Sequence, residues 1–231
     1  MFPLKDDNPS NSAPVVTVAL IVLNALVYLY QFSLQVGGPE GLQAFEGFIR
    51  DFGLVPCRLT GACQVGPELP SPVFTIFTSM FMHGGLFHIG GNMLYLWIFG
   101  NNIEDTLGHG RYLLFYLLSG VAAALAQTAI GPSSTVPMVG ASGAVSGVLG
   151  AYLVLFPHAR VTTLIILGFF FRLVQVPAVV VLGFWIVLQV LNGLGSFGSS
   201  GGVAFFAHIG GFLAGMGLLY VLRPRARSRA G

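Results

Sequence analysis

The sequence predicts an all-α membrane protein, a bundle of six transmembrane helices with a long first extracytoplasmic loop. Three observations carry the prediction. Only 8% of the 231 residues are charged and the mean hydropathy is +0.82, whereas soluble domains carry roughly 25% charged residues. Six apolar segments each approach the ~17–25 residues that a spanning helix needs. The basic residues fall unevenly between the loops, as they do when charge sets the orientation of a polytopic protein.

In chain order, residues 1–14 read as a polar cytoplasmic tail. Met1 to Ala13 hold Lys5 but also Asp6 and Asp7. That is a poor signal-peptide n-region, and the apolar run behind it is long enough to stay in the bilayer. The spans are Val15–Phe32, Phe87–Ile103, Tyr112–Ile130, Ser142–Phe156, Val176–Leu191 and Val203–Leu222, the fourth and fifth somewhat short. Together they make one domain, residues 15–222. Val73–Met82 and Val161–Phe171 are apolar but too short to span, and read as interfacial or re-entrant pieces. The first loop, residues 33–86, is long enough to be functional or disordered. Residues 223–231 form a basic tail with Arg223, Arg225, Arg227 and Arg229.

With both termini in the cytoplasm, Lys5, Arg111, Arg160, Arg172 and the tail arginines lie inside, while Arg50 and Arg58 lie outside. The reverse orientation puts the basic excess on the wrong side. The expected location is the cell membrane, and the lipid bilayer is the first partner. A net charge of +2 gives no reason to expect nucleic acid. Cys57 and Cys63 share one polar loop: outside the cytoplasm they could pair, and otherwise they remain free thiols. They are too few for a cysteine zinc site. His83 reads as a loop residue near the interface. With His88 it lacks the carboxylate or cysteine that would complete a metal shell, so no metal is expected.

Polar groups inside a membrane are costly and tend to be functional. The second segment carries His88 and Asn92, the fourth opens with Gly140-Ala141-Ser142-Gly143, and the sixth holds Ala207-His208. With six spans, the second, fourth and sixth run from outside to inside. His88, Asn92, Ser142 and His208 therefore reach a similar depth in the outer half of the membrane. Gly143 with Gly147, and Gly211 with Gly215, form GxxxG pairs that allow close backbone approach between helices. Two such faces in contact would bring the Ser142 hydroxyl to the His208 imidazole, as a serine nucleophile needs a base to take its proton. No Asp or Glu follows Asp105, so the sequence permits a Ser–His dyad rather than a Ser–His–Asp triad. His88, Asn92 and the Ser142 backbone N–H could stabilise the oxyanion. Asn92 also admits a plain interhelical hydrogen bond, and Gln127 and Asn192 read as interhelical or helix-end groups. Tyr95, Trp97 and Tyr112 read as packing or interfacial aromatics.

These residues resemble the rhomboid intramembrane proteases. The resemblance runs from about Pro72 to Leu222. It rests on His88-Ile89-Gly90-Gly91-Asn92, on Glu104 with Gly108, on Gly140-Ala141-Ser142-Gly143 and on Ala207-His208-Ile209-Gly210-Gly211, in order and on matching helices. It implies a six-helix core, Ser142 as nucleophile and His208 as general base, and cleavage of transmembrane protein substrates near their outer ends without metal, nucleotide or other cofactor. It also implies a first loop partly in the membrane and a fifth helix acting as a lateral gate, with Phe184 and Trp185 as gate residues. Some relatives carry a tyrosine four residues after the serine, stacked on the histidine. Here that position is Ser146, so aromatic support for His208 must come from elsewhere or be absent. Two other readings are a silent rhomboid-like protein that binds membrane clients and a small transporter. The first is disfavoured because both dyad residues are present. The second is disfavoured by the lack of an internal repeat or an intramembrane acid.

Overall fold

The computed structural model describes residues 2–64, 66, 69–168, 170–196 and 203–224. Arg225, Arg227 and Arg229 of the expected basic tail lie outside these residues. The chain runs β1 (Phe2–Asp6), α1 (Val15–Gln35), α2 (Gly38–Phe52), α3 (Pro56–Thr60), α4 (Pro72–Thr78) and a 3-10 turn at Ser79–Phe81. It continues with α5 (Leu86–Leu107), α6 (His109–Ile130), α7 (Ser142–Leu155), β2 (Arg160–Leu167), β3 (Phe170–Pro177), α8 (Ala178–Gly195) and α9 (Phe205–Leu222).

Four helices, α1, α6, α8 and α9, are long and apolar enough to cross a membrane. The pair from Pro72–Phe81 and α5, bent by 82°, makes a fifth span if counted as one. With 14 residues, α7 is apolar but short. The protein is thus a multi-pass membrane protein. Its outer faces fit that medium: Leu26, Leu29, Leu191, Leu213 and Val221 are all more than half exposed, apolar area that water would not tolerate in such quantity.

The short α7 sits at the centre. Every residue from Gly143 to Tyr152 is buried, as expected of a helix that is apolar all round. Its neighbours are α5, α6 and α9, with α8 packed mainly on α9. The glycine pairs explain the contact. A Cβ on Gly211 or on Gly215 would run into the carbonyl oxygen of Gly143 or of Gly147, one on Gly150 into Phe212, and one on Gly147 into Ser119 of α6. Only hydrogen fits between these backbones, and close dispersion contact replaces the missing hydrophobic drive.

At the far end of the bundle from Ser142, Glu104 of α5 is fully buried and caps α1. It accepts hydrogen bonds from the Val16 and Thr17 backbone N–H groups at 2.8 Å each and from the Thr17 hydroxyl at 2.7 Å. His109 Nδ1 lies 2.6 Å from Oε1, the oxygen that also accepts the Val16 N–H. A carboxylate at a helix N-terminus meets both the orphan donors and the positive end of the dipole. Gly108 makes the adjoining α5–α6 turn at φ +77°, where a side chain is disfavoured.

Two expectations need correction at this end. The chain is not all-α: β1, β2 and β3 form an antiparallel sheet in that order. The stretch expected as an interfacial piece, Val161–Phe171, is most of a hairpin instead. Its Val, Thr and Ile residues suit a pleated surface, and β1 supplies a partner from the segment expected as a polar tail, with Phe2 opposite Leu164 and Asp6 opposite Val161. Strand pairing also takes up Val176, so α8 starts at Ala178. Asp6 is buried there and accepts a 2.6 Å hydrogen bond from the Tyr152 hydroxyl. Burial raises its pKa from the ordinary aspartate value, outweighing the opposing effect of that hydrogen bond.

The long first loop is folded. It holds α2, which buries no residue, then α3 and α4. Cys57 and Cys63 form a disulfide across a Cα–Cα distance of 5.2 Å, which resolves the alternatives left open by the sequence.

Candidate active site

Ser142 is the first residue of α7, and the turn that delivers it is built by glycine. Gly140 has φ +133°, a region that L side chains rarely adopt. A Cβ there would also sit 2.7 Å from His88 Nε2 and 3.5 Å from Ser142 Oγ. The loop is pinned from behind, where the Gly140 N–H donates to the Ser79 carbonyl at 2.9 Å. The run Val73–Met82 thus supports the site as a bent helix and 3-10 turn ahead of α5.

His208 lies in the first turn of α9, whose start is tied to α6 by the Ala207 N–H donating to Gln127 Oε1 at 3.2 Å. The glycine contact between α7 and α9 brings His208 Nε2 to 2.8 Å from Ser142 Oγ. The other ring nitrogen, Nδ1, lies 2.7 Å from Gln189 Oε1 on α8. Trp185, one turn earlier on α8, stacks beside the imidazole at 5.8 Å between ring centroids, tilted by 36°. The aromatic support absent at Ser146 is thus supplied by α8. Ser146 itself donates to the Ser142 carbonyl at 2.6 Å. Phe184, by contrast, points outward and is 47% exposed.

The second helix of the constellation behaves as its spacing predicts. On α5, His88 and Asn92 lie one turn apart and line the same cavity as Ser142 and His208, a space of about 1180 Å³. The Gly84 N–H donates to His88 Nδ1 at 3.3 Å. An accepting Nδ1 leaves the proton of the neutral ring on Nε2, the nitrogen that faces the Gly140 loop. Asn92 is buried, and its Nδ2 has no hydrogen-bond partner among the described residues. A buried amide donor left unpaired is expensive unless something else accepts from it.

His83 is a loop residue, as expected, and it is fully buried. Gln31 of α1 clamps its backbone. Gln31 Nε2 donates to the His83 carbonyl at 3.1 Å and the His83 N–H donates to Gln31 Oε1 at 2.9 Å. Its ring meets His88 edge to face at 5.1 Å. Among the described residues, no group of three His, Cys, Asp or Glu converges here or elsewhere.

Spacing alone places Ser142, His208, His88 and Asn92 at one depth, with the glycines between them. Gln189 does not stand out in the sequence. The available signal was a hydrogen-bonding side chain inside the fifth apolar segment, four residues after Trp185 and hence on the same face.

The profile of the family described as "Rhomboid domain" matches residues 70–225. Among curated proteins, the chain is 36% identical over 158 residues to "Rhomboid protein 1, mitochondrial" of Saccharomyces cerevisiae, covering 63% of this chain and 40% of that protein. It is 28% identical over 209 residues to "Rhomboid protease GluP" of Bacillus subtilis, covering 90% and 36%. It is 36% identical over 227 residues to "RHOMBOID-like protein 4" of Arabidopsis thaliana, covering 91% and 54%. The chain therefore spans from about a third to just over half the length of these three relatives.

Proposed function

The chain belongs to the rhomboid family, and on that premise we propose that it is an intramembrane serine endopeptidase acting through Ser142 and His208. The observation that carries the reading is the 2.8 Å contact between Ser142 Oγ and His208 Nε2, two residues that line one cavity with His88 and Asn92. The Ser142 hydroxyl attacks the scissile carbonyl as its proton passes to His208 Nε2, forming the Oγ–C bond and a tetrahedral oxyanion. His208 then gives the proton to the leaving amine as the C–N bond breaks, and water hydrolyses the acyl-enzyme by the same route reversed. His88 Nε2–H, the unpaired Asn92 Nδ2 and the Ser142 backbone N–H are the donors proposed for the oxyanion. The substrates are transmembrane proteins cut near the extracytoplasmic face.

A six-span core follows if α7, enclosed by its neighbours, counts as a span alongside the bent α4–α5 pair. The cell membrane with both termini cytoplasmic is the proposed setting. Lys5, Arg111, Arg160 and Arg172 belong to the end of the bundle with β1–β3 and the α5–α6 turn, and this supports a cytoplasmic placement of that end. The Cys57–Cys63 disulfide, at the end that holds the site, supports an oxidising compartment there.

The test is labelling of the detergent-solubilised chain by a fluorophosphonate, which reacts only with an activated serine. We expect one adduct, mapped to Ser142 and lost in Ser142→Ala and His208→Ala. A correctly folded wild-type chain that takes no label would favour the silent client-binding reading instead.

A further inference from the structure

The histidine of the site is held by an amide where a triad would place a carboxylate. We infer that Gln189 is a positioning residue, selecting the His208 tautomer that can accept the Ser142 proton. The inference rests on the dyad proposed above and adds a third group from a third helix.

The hydrogen bonds leave little choice of orientation. The Gln189 side chain has one acceptor and one donor end. Its Nε2 lies 3.3 Å from the Trp185 carbonyl and its Oε1 lies 2.7 Å from His208 Nδ1. A carbonyl only accepts, so the amide NH2 belongs on Trp185 and the amide oxygen faces the ring. An oxygen facing Nδ1 requires a proton on Nδ1. In a neutral imidazole the lone pair is then on Nε2, 2.8 Å from Ser142 Oγ. The chain of donors and acceptors runs Ser142 to His208 to Gln189 to the Trp185 backbone, and each step fixes the next.

Without Gln189 the ring has no such bias. The opposite tautomer would present an N–H to Ser142 and could not take its proton. The wrong tautomer is the failure that a misplaced triad partner causes in soluble serine proteases. A neutral amide does this without placing a second charge in the membrane interior, where an ionised carboxylate is costly. Trp185 contributes by packing on the same ring and on Phe212, so one turn of α8 sets both the plane and the tautomer of the base.

The experiment uses the full chain in detergent and follows fluorophosphonate labelling against pH for wild type, Gln189→Leu and Gln189→Glu, with thermal unfolding alongside. Losing one hydrogen bond to the base predicts a labelling rate roughly tenfold to a hundredfold lower in Gln189→Leu. Gln189→Glu restores most of the rate and moves the acid limb of the profile to higher pH, because a carboxylate favours the imidazolium. Nitrogen NMR of labelled histidine should report Nδ1 protonated in wild type and a mixture in Gln189→Leu, independently of activity. Wild-type labelling in Gln189→Leu, or an unmoved acid limb in Gln189→Glu, would overturn the assignment. If wild type itself takes no label at Ser142, the dyad fails first. If wild type labels and Gln189→Leu labels equally, only the role of Gln189 fails.

Discussion

Gly211→Ala isolates the contact on which the site depends. A methyl group at Gly211 would overlap the Gly143 carbonyl oxygen, lie 3.0 Å from its carbonyl carbon and still be in ordinary contact with Ala123 at 3.4 Å. Carbon atoms settle at about 3.5–4.0 Å, so α7 and α9 must part by on the order of 1 Å. Ser142 and His208 ride on those two helices, and their 2.8 Å contact would stretch past useful hydrogen-bond length. A misplacement of about 1 Å at reacting groups can cost on the order of a hundredfold in rate, and overpacking costs roughly 1–3 kcal/mol of stability. The assay measures fluorophosphonate labelling rate and thermal midpoint for Gly211→Ala and for Gly217→Ala. Gly217 is the internal control: it lies on the same helix, and a Cβ there meets nothing within 4 Å. We expect Gly211→Ala to lose about two decades of rate and several degrees of midpoint, with Gly217→Ala indistinguishable from wild type. A Gly211→Ala chain that labels at the wild-type rate would refute the argument that backbone contact positions the dyad.

Three further outcomes follow from the geometry. Glu104→Ala strands the Val16 and Thr17 N–H donors and should cost about 2–4 kcal/mol in thermal unfolding, with Glu104→Gln milder; an unchanged midpoint would mean that α1 needs no cap. Asn92→Ala removes one proposed oxyanion donor and should lower the turnover of a cleaved substrate by roughly a hundredfold or more without lowering its midpoint; an unchanged turnover would move Asn92 to a packing role. Asp6 has a raised folded pKa, so its contribution to stability is complete below the unfolded pKa and is lost as pH rises through the folded one. Asp6→Asn should therefore gain on wild type in melts run from about pH 4 to about pH 8, and a growing deficit over that range would contradict the assigned cause.

The apolar spanning helices and the contact between Ser142 and His208 were legible because both are written in spacing. Apolar length gives the spans, and the placement of Ser142 and His208 near the starts of helices running the same way gives a shared depth. The GxxxG pairs added the contact between them, since small residues at intervals of four define a face. The sheet was not legible from hydropathy, because an apolar strand and an interfacial helix carry the same mean. The run of Val161, Thr162, Thr163, Ile165 and Ile166 held a signal in its β-branching, but its partner, Phe2–Asp6, lies more than 150 residues away. The contacts of Gln189 and Trp185 with His208 were hidden for a related reason. The sequence places them on one face of α8, but nothing in it says which face of α8 meets α9. The burial of His83 likewise depends on Gln31, a residue some 50 positions earlier with no distinguishing local pattern.

The most direct test of the central claim is cleavage of a model transmembrane substrate by the purified chain in liposomes, with wild type, Ser142→Ala and His208→Ala compared at equal amounts of folded protein. The account predicts cleavage near the extracytoplasmic end of the substrate helix by wild type and none by either variant. Cleavage that survives loss of Ser142 or of His208 would contradict it.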